Sequence, residues 1–264
     1  MMDFTNIDYN TNEGIAEIIL DRPGKLNALN NKLVSEFGDA LADAQENERV
    51  YSIIISGNGR GFCSGADVTD LQRDDQKQEN DINERWKRTT IQNIIKNIYY
   101  GEKPIIAAVN GPAVGAGCGI ALASDLRIMA EGAFLRENFT DIGLVPADGD
   151  GWFLKQLIGE SKAKEYLLTS KDITPIEAES LGLIVQIVNE DEVLRAAREL
   201  GVEIRDKPSK AVRETKKLIT ETSSFDQYIR KSRDAQRRVQ SDSEHSEAIQ
   251  AHRENRDPEF GRNY

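Results

Sequence analysis

The sequence predicts an α/β protein with a helical C-terminal region, and three observations support this. Short apolar runs, IAEIIL at 15–20, YSIIIS at 51–56 and IIAAV at 105–109, have the length of strands, and the second has the unbroken apolar character of a buried one. Between such runs lie segments whose apolar residues recur at helical spacing. From Glu190 to the end the pattern is helical throughout, with breaks at Pro208 and at Phe225-Asp226. Alternation followed by helices alone places an α/β core at 1–190 and a helical region at 191–264.

Taken in order, residues 4–9 and 15–20 read as a hairpin around the turn Asn12-Glu13-Gly14. DRPGKLNALN, 21–30, is turn-rich. Asn30 or Asn31 suits the N-cap of a helix over 32–46, where Leu33, Phe37, Ala40, Leu41 and Ala44 keep helical spacing. The strand at 51–56 runs into GNGRGFCSGAD, 57–67, a long glycine-rich loop. Residues 69–100 read as polar and mostly helical, and 70–83 are charged enough to predict a mobile part.

The stretch 103–130, KPIIAAVNGPAVGAGCGIALASDLRIMA, organises the rest. It reads as strand, glycine-rich turn, helix and strand, with Pro112 suited to the first helical turn. Amides at such a helix start are a site for negative charge, either a phosphate or an oxyanion that exists only during a reaction. GxGxxG and GxxxxGK[ST] are both absent here, which argues against a dinucleotide or P-loop site. Further on, PADGDG at 146–151 is a tight loop and helices are predicted over 152–158 and 162–169. Pro175 opens a short helix ending near Leu181-Gly182, and 184–188 is a strand. No internal repeat is present.

Composition narrows the function. With 39% hydrophobic and 30% charged residues, the chain reads as soluble and globular, and no stretch approaches the roughly 18 apolar residues of a membrane span. The N-terminus, MMDFTNIDYN, lacks the basic region and apolar core of a signal peptide. Two cysteines, Cys63 and Cys118, predict a reducing, cytoplasmic setting. A net charge of −11 argues against nucleic acid and anionic membranes as partners, while local amides can still hold an anionic small ligand.

Three separated pieces coincide: Asp21-Arg22-Pro23…Asn27-Ala28-Leu29, GFCSGAD behind a buried strand, and NGPAVGAGCGIALASDLRIMA. Together, in order and over nearly the whole chain, they resemble the enoyl-CoA hydratase/isomerase (crotonase) family. The resemblance implies the crotonase-like ββα superhelix, with a helical C-terminal region that builds homotrimers, often paired as a dimer of trimers. It implies an acyl-CoA thioester as ligand, with coenzyme A entering as part of the substrate and no separate cofactor or metal. The thioester oxygen would sit between two backbone amides. Carried over by residue, these are Ala66 and Ala116, the second where the family usually has glycine. Lys25, Leu26, Ala28, Ser64, Gly65, Ala66, Asp67 and Val68 look like the parts that hold the CoA nucleotide, pantetheine and thioester, with Gly115 beside the second amide. Phe260, in DPEFGRNY, resembles the family's late aromatic near the adenine ring. Two preset N–H donors would stabilise the enolate formed when the α-carbon loses a proton.

One departure matters most. The hydratases of this family carry two glutamates at positions that are here Gly119 and Phe139. An acid/base group must then come from elsewhere, and Glu137, Asp141, Asp148 and Asp150 lie nearby. Asp148, directly after Pro146-Ala147, is the first choice; Asp150 equally reads as the cap of a helix beginning at Trp152, and Glu137 comes next. In a dry acyl pocket such a carboxyl has a raised pKa, which suits proton shuttling. Asp67, just ahead of a helix, reads as an N-cap rather than a catalyst. Cys63 and Cys118 read as core residues, His245 and His252 as surface or interface residues, and Trp86, Tyr99, Tyr100, Trp152 and Phe153 as packing, with lining of an acyl pocket the alternative for Trp86. Double-bond isomerisation by one carboxylate is the expected reaction, with hydration close behind and thioester or ring hydrolysis third. The alternative is a non-catalytic CoA-ester binder. Val193, Leu194, Ala197, Val212, Leu218, Ile219 and Tyr228 lie on helices with no strand layer of their own, which predicts an oligomer.

Overall fold

The computed structural model describes residues 4–67 and 90–262. Strands β1 (Ile7–Asn12) and β2 (Ile15–Leu20) form the hairpin, with Glu13 and Gly14 at φ of 48° and 79° in its turn. The first strand starts later than its apolar pattern suggests. Thr5 and Asn6 donate their N–H groups to the Glu36 carboxylate, at 3.2 and 2.7 Å, and are held by the helix α1 (Asn31–Glu46). Asn30 caps that helix by accepting from the Leu33 N–H at 2.8 Å. Strands β3 (Ser52–Gly57), β4 (Ile105–Val109), β6 (Leu126–Ala130) and β8 (Gln186–Val188) then join in parallel, giving the order β1-β2-β3-β4-β6-β8. Every residue of β4 and all but the last of β3 are buried. Unalternating apolar strands of this kind are covered on both faces.

A second, two-stranded sheet pairs β5 (Ala113–Val114) with β7 (Leu135–Arg136) in parallel. Between these lies α3 (Ala116–Ala123), preceded in the chain by α2 (Ile91–Tyr100). Pro112 does not open a helix. It precedes β5, and its carbonyl accepts the N–H groups of Phe62 and Cys63, both at 3.1 Å. The helix starts at Ala116, so Gly115, at φ 52° and ψ −124°, sits in the strand-to-helix turn rather than inside the helix. The two helices predicted over 152–158 and 162–169 both form, as the two halves of α4 (Asp150–Thr169) on either side of the non-helical Gly159, at φ 79° and ψ 161°. The N-cap of α4 is Gly149, and Asp150 makes no side-chain cap bond, so the reading of Asp150 as a cap is corrected.

Beyond α5 (Pro175–Ser180), the helix α6 (Val193–Arg205) lies on the large sheet. It buries Val193, Ala196, Ala197 and Gly201, accepts the Ser52 hydroxyl at the Gly201 carbonyl, and pairs Arg198 with Glu17 of β2. The first helix past residue 190 therefore completes the core. Next, α7 (Ser209–Glu221) is pinned by Lys216, which donates to Asp125 at 2.8 Å and to the carbonyls of Lys103 and Ile98 at 3.0 and 3.3 Å. Asp125 also accepts the Ile105 N–H at 2.7 Å. With α8 (Phe225–Gln240) and α9 (Ser243–Glu254), this region leaves Ile219, Phe225, Tyr228, Ile229 and Ile249 exposed. Among the described residues no helix is long and apolar enough to cross a membrane. The expectations for residues 69–89, including the mobile charged stretch and Trp86, and that for Val68 lie outside the described residues.

Candidate active site

Because β2, β3 and β4 run parallel, the loops that follow them leave the sheet at one edge. Ligands of open α/β sheets bind at that carboxyl edge. Asn27 joins the first loop to the second. It is buried, at φ 57°, and its Oδ1 accepts the Arg22 N–H at 2.8 Å. Its Nδ2 donates to the carbonyls of Gly61, Asn58 and Phe62 at 2.8, 3.0 and 3.2 Å. Leu26, just before it, is also left-handed, at φ 47°. The Ser64 N–H donates to the Leu26 carbonyl at 2.9 Å and its hydroxyl to the Lys25 carbonyl at 3.2 Å. Arg22 bonds the Ala28 carbonyl and pairs with Asp67 at 3.1 Å. The structure thus brings Lys25, Leu26, Ala28, Ser64, Gly65, Ala66 and Asp67 together. Asp67 spends its carboxylate on Arg22; the helix it was expected to cap lies outside the described residues.

The two candidate amides are set by this packing. Leu29 donates to the Gly65 carbonyl at 2.8 Å and accepts from the Asp67 N–H at 3.0 Å, a parallel bridge centred on Ala66. The bridge uses the groups on either side of Ala66, so the Ala66 N–H points away from Leu29. Ala116 is the first residue of α3, whose opening amides have no partner within the helix. Among the described residues neither N–H has a hydrogen-bond acceptor. Gly65, at φ 89°, holds the two segments close: a Cβ there would stand 2.8 Å from the Val114 carbonyl oxygen and 3.7 Å from the Ala116 nitrogen. Gly117 packs directly on Cys63, where any Cβ would collide with the Cys63 carbonyl.

Carboxylates gather on the other side of α3's first turn. The Gly115 N–H donates to the Arg136 carbonyl at 2.8 Å, which sets Glu137 beside the helix start. Glu137 is 3% exposed and Asp150 is 0% exposed. All four of their carboxylate oxygens are buried, and none has a hydrogen-bond partner among the described residues. Asp150 lies against Gly119, where a Cβ would collide with its Oδ1. Burial, then the charge of Asp150, pushes the Glu137 carboxyl well above the usual range, and the Cys118 thiol beside it draws it partly back. Burial, then Asp148, pushes Asp150 up to about 7. Asp148 is raised by burial too, but it accepts the Gln92 amide at 2.7 Å. Cys118 is buried and pushed far up by burial and by Glu137, so it is no nucleophile.

The sequence model described as Enoyl-CoA hydratase/isomerase matches residues 10–263. The chain belongs to the enoyl-CoA hydratase/isomerase family. Its relatives include the 1,2-epoxyphenylacetyl-CoA isomerase of Escherichia coli, 28% identical over 98% of this chain and 99% of that one. The short-chain-enoyl-CoA hydratase of Clostridium acetobutylicum is 30% identical over 83% of this chain and 82% of its own. Among solved structures, the enoyl-CoA hydratase of Bacillus anthracis superposes with a TM-score of 0.89 at 28% identity, covering 98% of this chain and 100% of that one. The fold is the crotonase fold of these hydratases, and the chain is an enzyme of the enoyl-CoA hydratase/isomerase family.

Within this family member the remaining expectations divide. Phe260 is not at the carboxyl edge of the sheet. Arg262 stacks between its ring, at 4.7 Å, and that of Tyr51, at 4.3 Å, and Tyr51 lies just before β3 begins. Phe260 is therefore at the opposite end of that strand from the SGAD loop of the same chain. Reasoning from sequence missed Asn27 and Arg22 as the links between loops. The paired left-handed residues at 26–27 are not visible in composition. It named Asp150 but placed it outside α4; the bare surface of Gly119, which receives its carboxylate, was the available signal.

Proposed function

We propose that this enzyme binds an acyl-CoA thioester at the carboxyl edge of the sheet and stabilises its enolate between the Ala66 and Ala116 amides. One observation supports this above the others: two N–H groups from separate loops that have no acceptor among the described residues, held together by the close seat of Gly65 on Val114. Such donors stabilise charge where it develops during a reaction, and they do so without reorganising. Proton transfer falls to the buried acids behind α3, which fits isomerase or hydratase chemistry on an enoyl-CoA. Coenzyme A arrives as part of the substrate and no further cofactor is required. The two-cysteine composition supports a cytoplasmic setting.

Gly65→Ala tests the donor pair. Its φ of 89° disfavours any side chain, and the added methyl would press on the Val114 carbonyl, shifting the Ala66 amide. Turnover on a panel of enoyl-, dienoyl- and 3-oxoacyl-CoA esters is expected to fall about 10²-fold or more, the scale of losing one such donor. Unchanged turnover on every ester that the parent converts would remove the donor pair from the mechanism.

The same reading makes the chain a homo-oligomer, a trimer or a dimer of trimers. Exposed Ile219, Phe225, Tyr228, Ile229 and Ile249 on α7–α9 support it. Sedimentation at micromolar concentration should show a species of about three or six chains. A single 29.5 kDa species would contradict it.

A further inference from the structure

Three carboxyl groups gather behind α3: Glu137 after β7, Asp148 in the loop before α4, and Asp150 at its start. Neighbouring carboxyls in a poorly solvated site cannot all be ionised, and the charge settles on the one with a hydrogen-bond donor. Glu137 and Asp150 have no partner among the described residues. Asp148 has one, the side-chain amide of Gln92, which donates to its Oδ1 at 2.7 Å. Burial raises the Asp148 carboxyl, and this donor draws it back down. Burial, then the charge on Asp148, raises Asp150 in turn. Gln92 thus separates the three acids, with the charge on Asp148 and protons on the other two. Access points the same way. Glu137 and Asp150 are sealed, whereas Asp148 is half-buried and its bond to Gln92 lies at the surface. Gln92 belongs to another element. It lies in the first turn of α2, three residues before Ile95, so the two share a helix face. Ile95 packs on Gly119, the glycine that receives Asp150. That contact fixes α2 against α3, and Gln92 carries the α2 face on to the loop that holds Asp148.

We propose that Gln92 is a positioning residue that fixes Asp148 as the proton-transferring carboxylate of this enzyme. This rests on the reading of an acyl-CoA thioester held at Ala66 and Ala116 given above. A neutral amide suits the role. It orients the carboxylate without neutralising it, where an ammonium would leave Asp148 too weak a base and a glutamate would add a fourth acid. With Oδ1 occupied, Oδ2 has no partner among the described residues and is the atom that takes the α-proton. The electron pair of the broken C–H bond passes into the enolate, whose negative oxygen lies between the two amides. Oδ2 then returns the proton to carbon, the enolate electrons form the new C–H bond, and Asp148 is ionised again. Glu137 and Asp150 keep their protons throughout.

The test uses the full chain, a 3-enoyl-CoA ester in D2O, and butyryl-CoA as a saturated binding probe. Deuterium uptake at the α-carbon, followed across pH, reads the base directly. Gln92→Leu is expected to move the acid limb of the exchange kcat up by about one to two pH units, so that exchange below the parent's limb falls about 10- to 10²-fold, the scale of a hydrogen bond to a charged group. The alkaline plateau and butyryl-CoA affinity should change little, whereas a packing defect would lower the rate at every pH. Gln92→Glu, which keeps the size but loses the donor, should move the limb at least as far, and it decides if Gln92→Leu does not fold. Asp148→Asn should abolish exchange, and adding Gln92→Leu to it should cost nothing more. Asp150, Glu137 and, beside Glu137, Cys118 are the titratable groups around Asp148 among the described residues, and burial raises all three. An unmoved limb in the Gln92 variants overturns the proposal. So does an Asp148→Asn chain that exchanges normally, which leaves the acyl-CoA reading standing with another acid. A parent that binds no butyryl-CoA and exchanges no proton defeats that reading itself, and the role of Gln92 with it.

Discussion

Asp150→Asn is expected to raise the stability of the folded chain at pH 8. Burial, then the charge of Asp148, lifts the Asp150 carboxyl from 3.8 to about 7. An acid raised in this way holds its proton more tightly folded than unfolded. Its contribution to stability is therefore full below about pH 4 and is lost as pH rises toward 7, a difference of about 4 kcal/mol. Asparagine has no proton to lose. The variant should match the parent near pH 4 and gain through pH 7, by as much as about 4 kcal/mol less the cost of a buried amide. Glu137, raised in the same direction and facing Asp150 together with Cys118, shares the effect, so the gain belongs to the pair. Urea midpoints at pH 4 and pH 8 measure it. A variant no more stable than the parent at pH 8 would mean that the ionised Asp150 carries no burial penalty, and the site would lose its strained acid.

Lys216→Met should have the opposite sign. Lys216 is nearly buried between α7 and the segment before β4, and burial lowers its pKa despite Asp125. Asp125 in turn is raised by burial, with Lys216 pulling it back. Removing the ammonium leaves a buried carboxylate with the Ile105 N–H and frees the Ile98 and Lys103 carbonyls. Breaking one side of such a pair costs about 3–5 kcal/mol. Methionine keeps most of the packing, so the loss reports the charge. Thermal and urea unfolding at pH 7 should show it, and Lys216→Met with Asp125→Asn should recover a good part. If the double variant is no better than the single one, the loss comes from packing and the ion pair is not what anchors α7.

Much of the fold was legible because its central strands are short, mostly apolar runs and its loops are glycine-rich. IIAAV became β4 and IAEIIL became β2 with their expected bounds. What failed was short. β5 is two residues long, below any periodic signal, so Pro112 read as a helix opener when it precedes a strand. The site was legible where backbone geometry demands a residue type, as at Gly65, and illegible where a side chain reaches across the chain. Asn27 in a turn has an ordinary local reading, and its bonds to residues 58–62 depend on two loops meeting. Where α4 starts sets the surroundings of Asp148 and Asp150. Beginning at Asp150 rather than Trp152 carries that side chain inward to Gly119 and leaves Asp148 with Gln92.

The most direct measurement is to run the parent enzyme on 2-enoyl-CoA esters in D2O and weigh the product. Isomerase or hydratase chemistry through an enolate held at Ala66 and Ala116 predicts a 3-hydroxyacyl-CoA with one deuterium fixed at the α-carbon, or an enoyl-CoA with a displaced double bond. Free acid and free coenzyme A as the products would contradict it.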